Sequence, residues 1–410
     1  MGAFSAAEND AVFVAKTGAN SAAEFASPPE ARAAMAEPED LPEPDRIEGA
    51  PHPRETERLV GHDAAEAAFL DAFNVDRLHH AWLITGPRGV GKATLAWKIA
   101  RFLRATPTVG DGGLFGAPSA PVTLDIAPDH PVARQARVLA EPGIMLIRRS
   151  PNANTGKMSD MIRAEDVRRL GGFFGLSVVD GGRRVVIVDA ADDMNPTAAN
   201  ALLKLLEEPP ANAVLLLISH QPAHLLPTIR SRCRALRLDP LAAPELALAL
   251  EGAGLEGVEN TEALGELAGG SVGEALRLTH QGGLAAYGEI VSVFANAPRY
   301  DRPRAIGLAN SAAGAVNAPR FDMLLRLFSL FLARLARTGA GLRPAIEAAP
   351  GEAALLSRLA PDANAGRHWA TLQQELTARA AHGRAVNLDP AAVILDMVFR
   401  INEAAETRVT

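Results

Sequence analysis

The chain contains one cysteine, Cys233, in 410 residues. A lone thiol excludes an internal disulfide and any zinc site built from several cysteines, and it fits a reducing compartment. Aromatic residues are scarce, at 5%, whereas Ala and Leu abound, which predicts a helix-rich protein. No 18-residue uncharged apolar run occurs, so neither a membrane span nor an export signal is expected, and the expected location is the cytoplasm. The chain also lacks an excess of positive charge. Its net charge is −7, but residues 1–50 hold ten Asp/Glu against three Lys/Arg, and the other 360 residues carry 38 of each sign. Nucleic-acid contact would therefore need a local basic patch. The arginines available for one are Arg148, Arg149, Arg163, Arg168, Arg169, Arg183 and Arg184.

The texture of the sequence changes along its length. Residues 1–48 are rich in Ala, Glu and Pro and read as a disordered acidic tail. From 49 to 240, short apolar runs alternate with helical periods: HAWLIT (80–85), GIMLIR (143–148), RVVIVD (184–189), AVLLLIS (213–219) and ALRL (235–238). Near-continuous apolar runs suit strands covered on both faces, so a doubly wound α/β domain with a parallel sheet is expected. One helix is well punctuated. Asn195 can cap it, Pro196 suits its first turn, Ala198, Leu202, Leu205 and Leu206 form its apolar face, and Pro209-Pro210 ends it.

Beyond Pro240 the strand signals fade. Residues 241–285 read as a small helical lid and 286–410 as an all-helical C-terminal domain. In FDMLLRLFSLFLARLAR (321–337), Met323, Leu327 and Leu330 widen the apolar stripe beyond a single face. That surplus serves either an intramolecular bundle or a neighbouring subunit. A last helix, capped by Asp389-Pro390, groups Ile394, Met397, Val398 and Ile401.

The chemistry centres on GPRGVGKATLAW, Gly86–Trp97, which follows the first predicted strand and opens a helix. Gly86, Gly89 and Gly91 let the backbone turn its N–H groups inward, Lys92 adds a cation and the helix start adds its dipole, which together cradle phosphate. Val90 completes the loop. The pattern asks for Ser or Thr after the lysine to ligate Mg²⁺, but Ala93 stands there and Thr94 is about 100° further round the helix. The expected ligand is ATP or ADP over a weakened Mg²⁺ site, with no zinc. RVVIVD ends in Asp189, the acidic residue expected at the strand end. The next position, where a hydrolysing relative carries a water-activating Glu, is Ala190, and a methyl group polarises no water. Asp192 and Asp193 read as turn and capping residues.

NPTAANALLKLLEEPP (195–210) followed by ISHQPAHLLPTIRSRC (218–233) resembles the ATPase module of bacterial clamp-loader subunits, a branch of the AAA+ ATPases. The similarity extends from about Pro51 to about residue 280. The resemblance implies an AAA+ P-loop sheet domain, a small helical lid and a C-terminal helical collar. It implies that Gly86 to Thr94, with Asp189, hold nucleotide, that Ser219 senses its γ-phosphate, and that Arg232 in the Ser231-Arg232-Cys233 triplet is an arginine finger acting on a neighbour's ATP. It further implies motor subunits of the gamma/tau type, a delta subunit, a sliding clamp and primed DNA as partners, within a DNA polymerase holoenzyme.

Three departures stand out. Ala190 lacks the carboxylate. Gly273 in GGSVGEALRL falls where motor subunits carry an arginine, while Arg277, one turn on, is placed for a surface pair. Residues 106–142 replace the four-cysteine module of many relatives with a Pro-, Gly- and Ala-rich stretch expected to be irregular. The losses fall on the chain's own hydrolytic site and the trans-acting arginine survives, so a subunit without ATPase activity of its own is expected. The competing reading is an autonomous ATPase of this fold, a motor subunit or a helicase. A P-loop kinase of small metabolites ranks behind both, because it leaves the SRC triplet and the helical tail unused.

Overall fold

The structure, a computed structural model, describes residues 43, 46–47, 49–106, 120–152, 156–175, 182–255, 257–258 and 260–407. The expected acidic tail therefore lies almost wholly outside the described residues. Five strands, β1 (Ala81–Thr85), β2 (Ile144–Arg148), β3 (Arg184–Asp189), β4 (Ala213–Ser219) and β5 (Arg234–Arg237), pair in parallel in the order β2-β3-β4-β1-β5. Each strand falls on one of the apolar runs, within a residue at either end.

The side-chain period of two sends alternate residues to opposite faces of the sheet. Trp82, Ile84, Val185, Ile187, Leu216 and Leu236 face α1 (Asp63–Asn74) and α2 (Lys92–Ala105), where Phe69, Leu95, Ile99 and Phe102 cover them. Leu83, Val186, Val188, Leu215 and Leu217 face α4 (Ala164–Gly175) and α5 (Pro196–Glu207), where Val167, Leu170, Leu202 and Leu206 cover them. Helix α5 forms as its punctuation predicts: Asn195 Oδ1 accepts from Ala198 N at 2.8 Å, and Ala198, Leu202 and Leu206 are buried. Leu205 is only partly buried. Between α2 and β2, residues 107–119 lie outside the described residues. The rest of the 106–142 stretch is not wholly irregular, because α3 (Pro131–Arg137) forms there, with the His130 ring accepting from Val132 N at 3.2 Å.

Register lines up the carboxyl ends of the strands. Thr85 lies beside Ser219, Ile218 beside Asp189, and Asp189 beside Arg148. This row is the edge on which the phosphate loop sits. Strand β5 closes one side of the sheet with Arg234 and Arg237 exposed, charges that discourage pairing with another chain.

The remaining short helices α6 (Pro227–Arg230), α7 (Ala243–Gly252), α8 (Thr261–Ala268) and α9 (Val272–His280) lead into α10 (Gly283–Phe294), α11 (Arg302–Ser311), α12 (Ala318–Gly339), α13 (Glu352–Leu359), α14 (Ala363–Ala385) and α15 (Pro390–Glu406). Helices α7 to α15 share one apolar core, running from Leu246 and Leu264 through Phe294 and Phe331 to Trp369 and Ile401. The division expected at 285/286 falls inside α10. The surplus stripe of α12 is consumed within this core: Met323 and Leu327 are buried and Leu330 is partly buried. A partly exposed apolar row lies instead on and just before α15, where Leu388, Ala392 and Phe399 are exposed, the Phe399 ring meeting Tyr300 edge-on at 5.8 Å, and Leu395 is half-buried.

A buried ionic network joins lid to bundle. Arg334 of α12 donates to both carboxylate oxygens of Glu352, at 2.6 and 3.0 Å, to Glu266 of α8 at 2.8 Å and to Ile346 O at 3.1 Å. Tyr287 Oη donates to Glu352 at 2.5 Å, and Ala348 N donates to it at 2.7 Å. Burial, reinforced by the Glu352 carboxylate, pushes the Tyr287 phenol up. Removing one member strands the others: Arg334→Ala leaves the Glu352 carboxylate, 1% exposed, without its cation. That change should destabilise the chain by about 3–5 kcal/mol, measured as a lower urea midpoint with an unchanged m-value.

Candidate functional site

The loop from Gly86 to Gly91 connects β1 to α2, as expected. Its conformation requires glycine where the chain turns back on itself. Gly89 has φ +77°, and a Cβ there would stand 2.4 Å from Ser271 Oγ. The Lys92 side chain, 3% exposed, curls under the loop and donates from Nζ to Gly86 O at 2.8 Å and to Pro87 O at 2.5 Å. Burial depresses its ammonium to about 8, the Asp189 and Asp192 carboxylates oppose that shift, and Arg88 adds to it. Val90 is buried, and its carbonyl lies 2.7 Å from His62 Nε2. Ala93 packs toward the helix-covered sheet face, and Thr94 is half-buried in the first turn of α2.

Asp189 ends β3 and acts electrostatically on Lys92, so these two predicted residues are brought together. Ala190 is buried and offers only a methyl group. Asp192 does more than turn the chain: its carboxylate accepts from His220 N at 3.1 and 3.2 Å and from Gln221 N at 3.1 Å, bracing the segment that follows β4. Asp193 pairs with Arg149 at 3.4 Å, and burial raises its carboxyl. Neither caps α5, because Asn195 does. Ser219 is completely buried and its Oγ has no protein hydrogen-bond partner; the neighbouring His220 Nδ1 is also buried without one. Burial, helped by the Lys92 and Arg88 cations, lowers His220 to about 4, so the imidazole is neutral at pH 7. The sequence reading passed over His220, whose only signal was adjacency to Ser219.

The lid meets the loop through backbone. Gly273 N donates to Gly89 O at 2.9 Å, and a Cβ on Gly273 would lie 3.0 Å from Gly89 Cα and 3.2 Å from Ile47 Cδ1. Ser271 caps α9 by accepting from Glu274 N at 3.1 Å, while its hydroxyl donates to Arg88 O at 2.8 Å. A side chain at position 273 would crowd the Gly89 backbone and require it to shift. Arg277 pairs with Glu274 at 3.1 Å, as its spacing suggested.

Arg232 stands elsewhere. Helix α5 runs away from the carboxyl edge for about 18 Å, and Glu207 at its far end holds Arg232 Nη2 at 2.9 Å. The side chain is 37% exposed and lies beside the start of β5, at the opposite edge of the sheet from Lys92. It cannot reach its own loop. Cys233 is partly buried, and burial pushes its thiol up to about 12, so it is no nucleophile at neutral pH. The arginines suggested for nucleic acid do not form one patch. Arg148 is near Glu43 at 3.4 Å, Arg163 donates to Pro151 O at 3.1 Å, Arg183 lies over the Phe73 ring and Arg184 donates to Phe173 O at 2.6 Å. Arg168 and Arg169 are exposed on α4.

A parallel sheet, a glycine-rich phosphate loop between its first strand and a helix, and a helical lid over that loop define a P-loop module. Residues 61–242 match the protein family described as "DNA polymerase III, delta subunit". The chain is 41% identical over 207 residues to DNA polymerase III subunit delta' of Pseudomonas aeruginosa, a match covering 50% of this chain and 56% of that one. It is 30% identical over 181 residues to DNA polymerase III subunit gamma/tau of Mycobacterium bovis, covering 42% and 27%. Over its P-loop module, the chain is therefore similar to that family and to the delta-prime subunit of Pseudomonas aeruginosa. The matched part spans about half the length of the first relative. Among solved structures, a gamma subunit-related protein from Thermotoga maritima is 18% identical with a TM-score of 0.38, covering 82% of this chain and 97% of that one.

Two outcomes follow from this geometry. Ser271→Ala removes both the cap of α9 and the tie to Arg88 O, and should lower stability by about 1–2 kcal/mol in urea unfolding. The buried Lys92 carries a folded value of about 8 against 10.5 when unfolded. Above pH 8 the unfolded chain binds the extra proton, so this group's penalty fades as pH rises to 10.5. Wild type should accordingly gain about 1–3 kcal/mol on Lys92→Met between pH 7.5 and 10.5, read from paired denaturation curves.

Proposed function

We propose that the chain is a non-hydrolysing, delta-prime-like subunit of a DNA polymerase III clamp loader, offering Arg232 to ATP held by the adjacent subunit and supporting the loading of a sliding clamp on primed DNA. The observation that carries this reading is the separation of the two functional parts. The chain's own cradle lacks a hydroxyl at Ala93, a carboxylate at Ala190 and room for a side chain at Gly273, whereas Arg232 sits exposed at the far edge of the sheet. Its relatives' names support the same role.

Residues Gly86, Gly89, Val90, Gly91, Lys92 and Thr94, with Ser219, suit the phosphates of ATP or ADP: a glycine-lined loop, a buried ammonium and an orphaned buried hydroxyl. The Mg²⁺ half of the site does not fit, because Ala93 supplies no ligand oxygen beside Asp189. Bound nucleotide would therefore be held without being turned over. The partners are motor subunits of the gamma/tau type and a delta subunit, met through the row of exposed Leu388, Ala392 and Phe399 with half-buried Leu395, an apolar stripe of the kind that marks protein interfaces. Clamp and DNA are reached through the assembled ring, in the cytoplasm.

The test is reconstitution. The isolated chain should show no ATPase. In a ring assembled with gamma/tau and delta, Arg232→Ala should silence one interface, where a finger supplies about 10³–10⁵ in rate, and clamp loading should fall with it. Brisk turnover by the isolated chain, or unchanged ATPase in the variant ring, defeats the reading.

A further inference from the structure

The exposed ion pair between Glu207 and Arg232 is held from both sides by fixed backbone. On one side, Leu202 and Leu206 of α5 are buried in the core, and the Leu206 carbonyl lies 3.1 Å from His80 Nε2, so the helix end that carries Glu207 is anchored. On the other side, Ile229 is fully buried, Ser231 N donates to Pro227 O at 2.9 Å and Arg232 N donates to Ile229 O at 3.1 Å, so the turn that carries Arg232 is equally fixed. Between these supports the guanidinium makes two contacts: Nη1 donates to Thr228 O at 3.1 Å, and Nη2 forms an ion pair with Glu207 Oε1 at 2.9 Å. Ser231 Oγ donates to the same Thr228 carbonyl at 3.1 Å.

We propose that Glu207 is the positioning residue of the arginine finger: with Thr228 O it sets the plane of the Arg232 guanidinium before the neighbour's ATP arrives. The inference rests on the reading of Arg232 given under Proposed function. A guanidinium is a planar fork, so a hydrogen bond on one Nη atom and a carboxylate oxygen beside the other restrict its orientation and leave other N–H groups for an incoming phosphate. Both side chains are partly in water, at 37% and 51% exposed, where an ion pair contributes little to stability. The gain is in preorganisation instead. An unheld arginine loses rotamer freedom when it engages the transferring phosphoryl group, and a held one has lost it already. The role needs an acceptor oxygen at position 207 and not a negative charge, which near a γ-phosphate is repulsive.

The experiment measures steady-state ATPase of the full reconstituted ring with clamp and primed DNA. Glu207→Ala should lower kcat about three- to tenfold, the cost of ordering one long side chain, with KM changed less than about twofold. Glu207→Gln, which retains an acceptor oxygen, should stay within about twofold of wild type. In an Arg232→Ala background, Glu207→Ala should add nothing, because Glu207 acts only through the finger. Wild-type kcat in Glu207→Ala, failure of Glu207→Gln to rescue, or an equal further loss in the double variant overturns the positioning role while leaving the finger standing. If Arg232→Ala alone leaves the ring at wild-type rate, the reading beneath the inference falls and takes it along.

Discussion

The contact on which the site depends is the approach of two stretches of bare backbone, Gly89 in the phosphate loop and Gly273 at the start of α9. The 2.9 Å hydrogen bond between them brings the lid down onto the loop, and the Ser271 hydroxyl joins the same loop at Arg88. A Cβ at Gly89 would stand 2.4 Å from Ser271 Oγ, and one at Gly273 would press on Gly89 Cα at 3.0 Å. The lid therefore presents no side chain at position 273, and the start of α9 serves as a structural tie to the loop.

A second constraint is the geometry of the sheet. In a parallel sheet, ligands gather at the carboxyl ends of the strands, where Thr85, Asp189 and Ser219 align. Helix α5 then returns to the other edge and delivers Glu207 to Arg232. One helix length separates the phosphate-loop edge of the sheet from Arg232. Beyond the sheet, the lid and C-terminal helices share a core and the Arg334 network, so the lid is bound to the bundle on one side and to the loop on the other. The buried charges make that arrangement specific, because the Arg334 donors are shared among Glu266, Ile346 O and Glu352.

The apolar surface was distributed differently from its sequence appearance. The wide stripe of α12 looked available for a partner, yet α14 and its neighbours cover it. The shorter α15, which read as an ordinary core helix from Ile394, Met397, Val398 and Ile401, buries those four and leaves a second row outside. Periodicity states that a helix has an apolar face. It does not state how many neighbours surround the helix.

Strands, phosphate loop, helix caps and the losses at Ala93 and Ala190 were legible in the sequence, because each depends on residues adjacent in the chain: an apolar run, a glycine spacing, an Asn before a Pro. The Gly273–Gly89 contact, the Asp192 brace on His220 and Gln221, the neutral His220 and the Glu207–Arg232 pair were not. They join residues up to 184 positions apart, and only the packing of sheet, lid and bundle determines which distant backbone groups meet and which side chains lose water. Local order lies in covalent neighbours; the site's electrostatics and its closure lie in burial, which the fold alone decides.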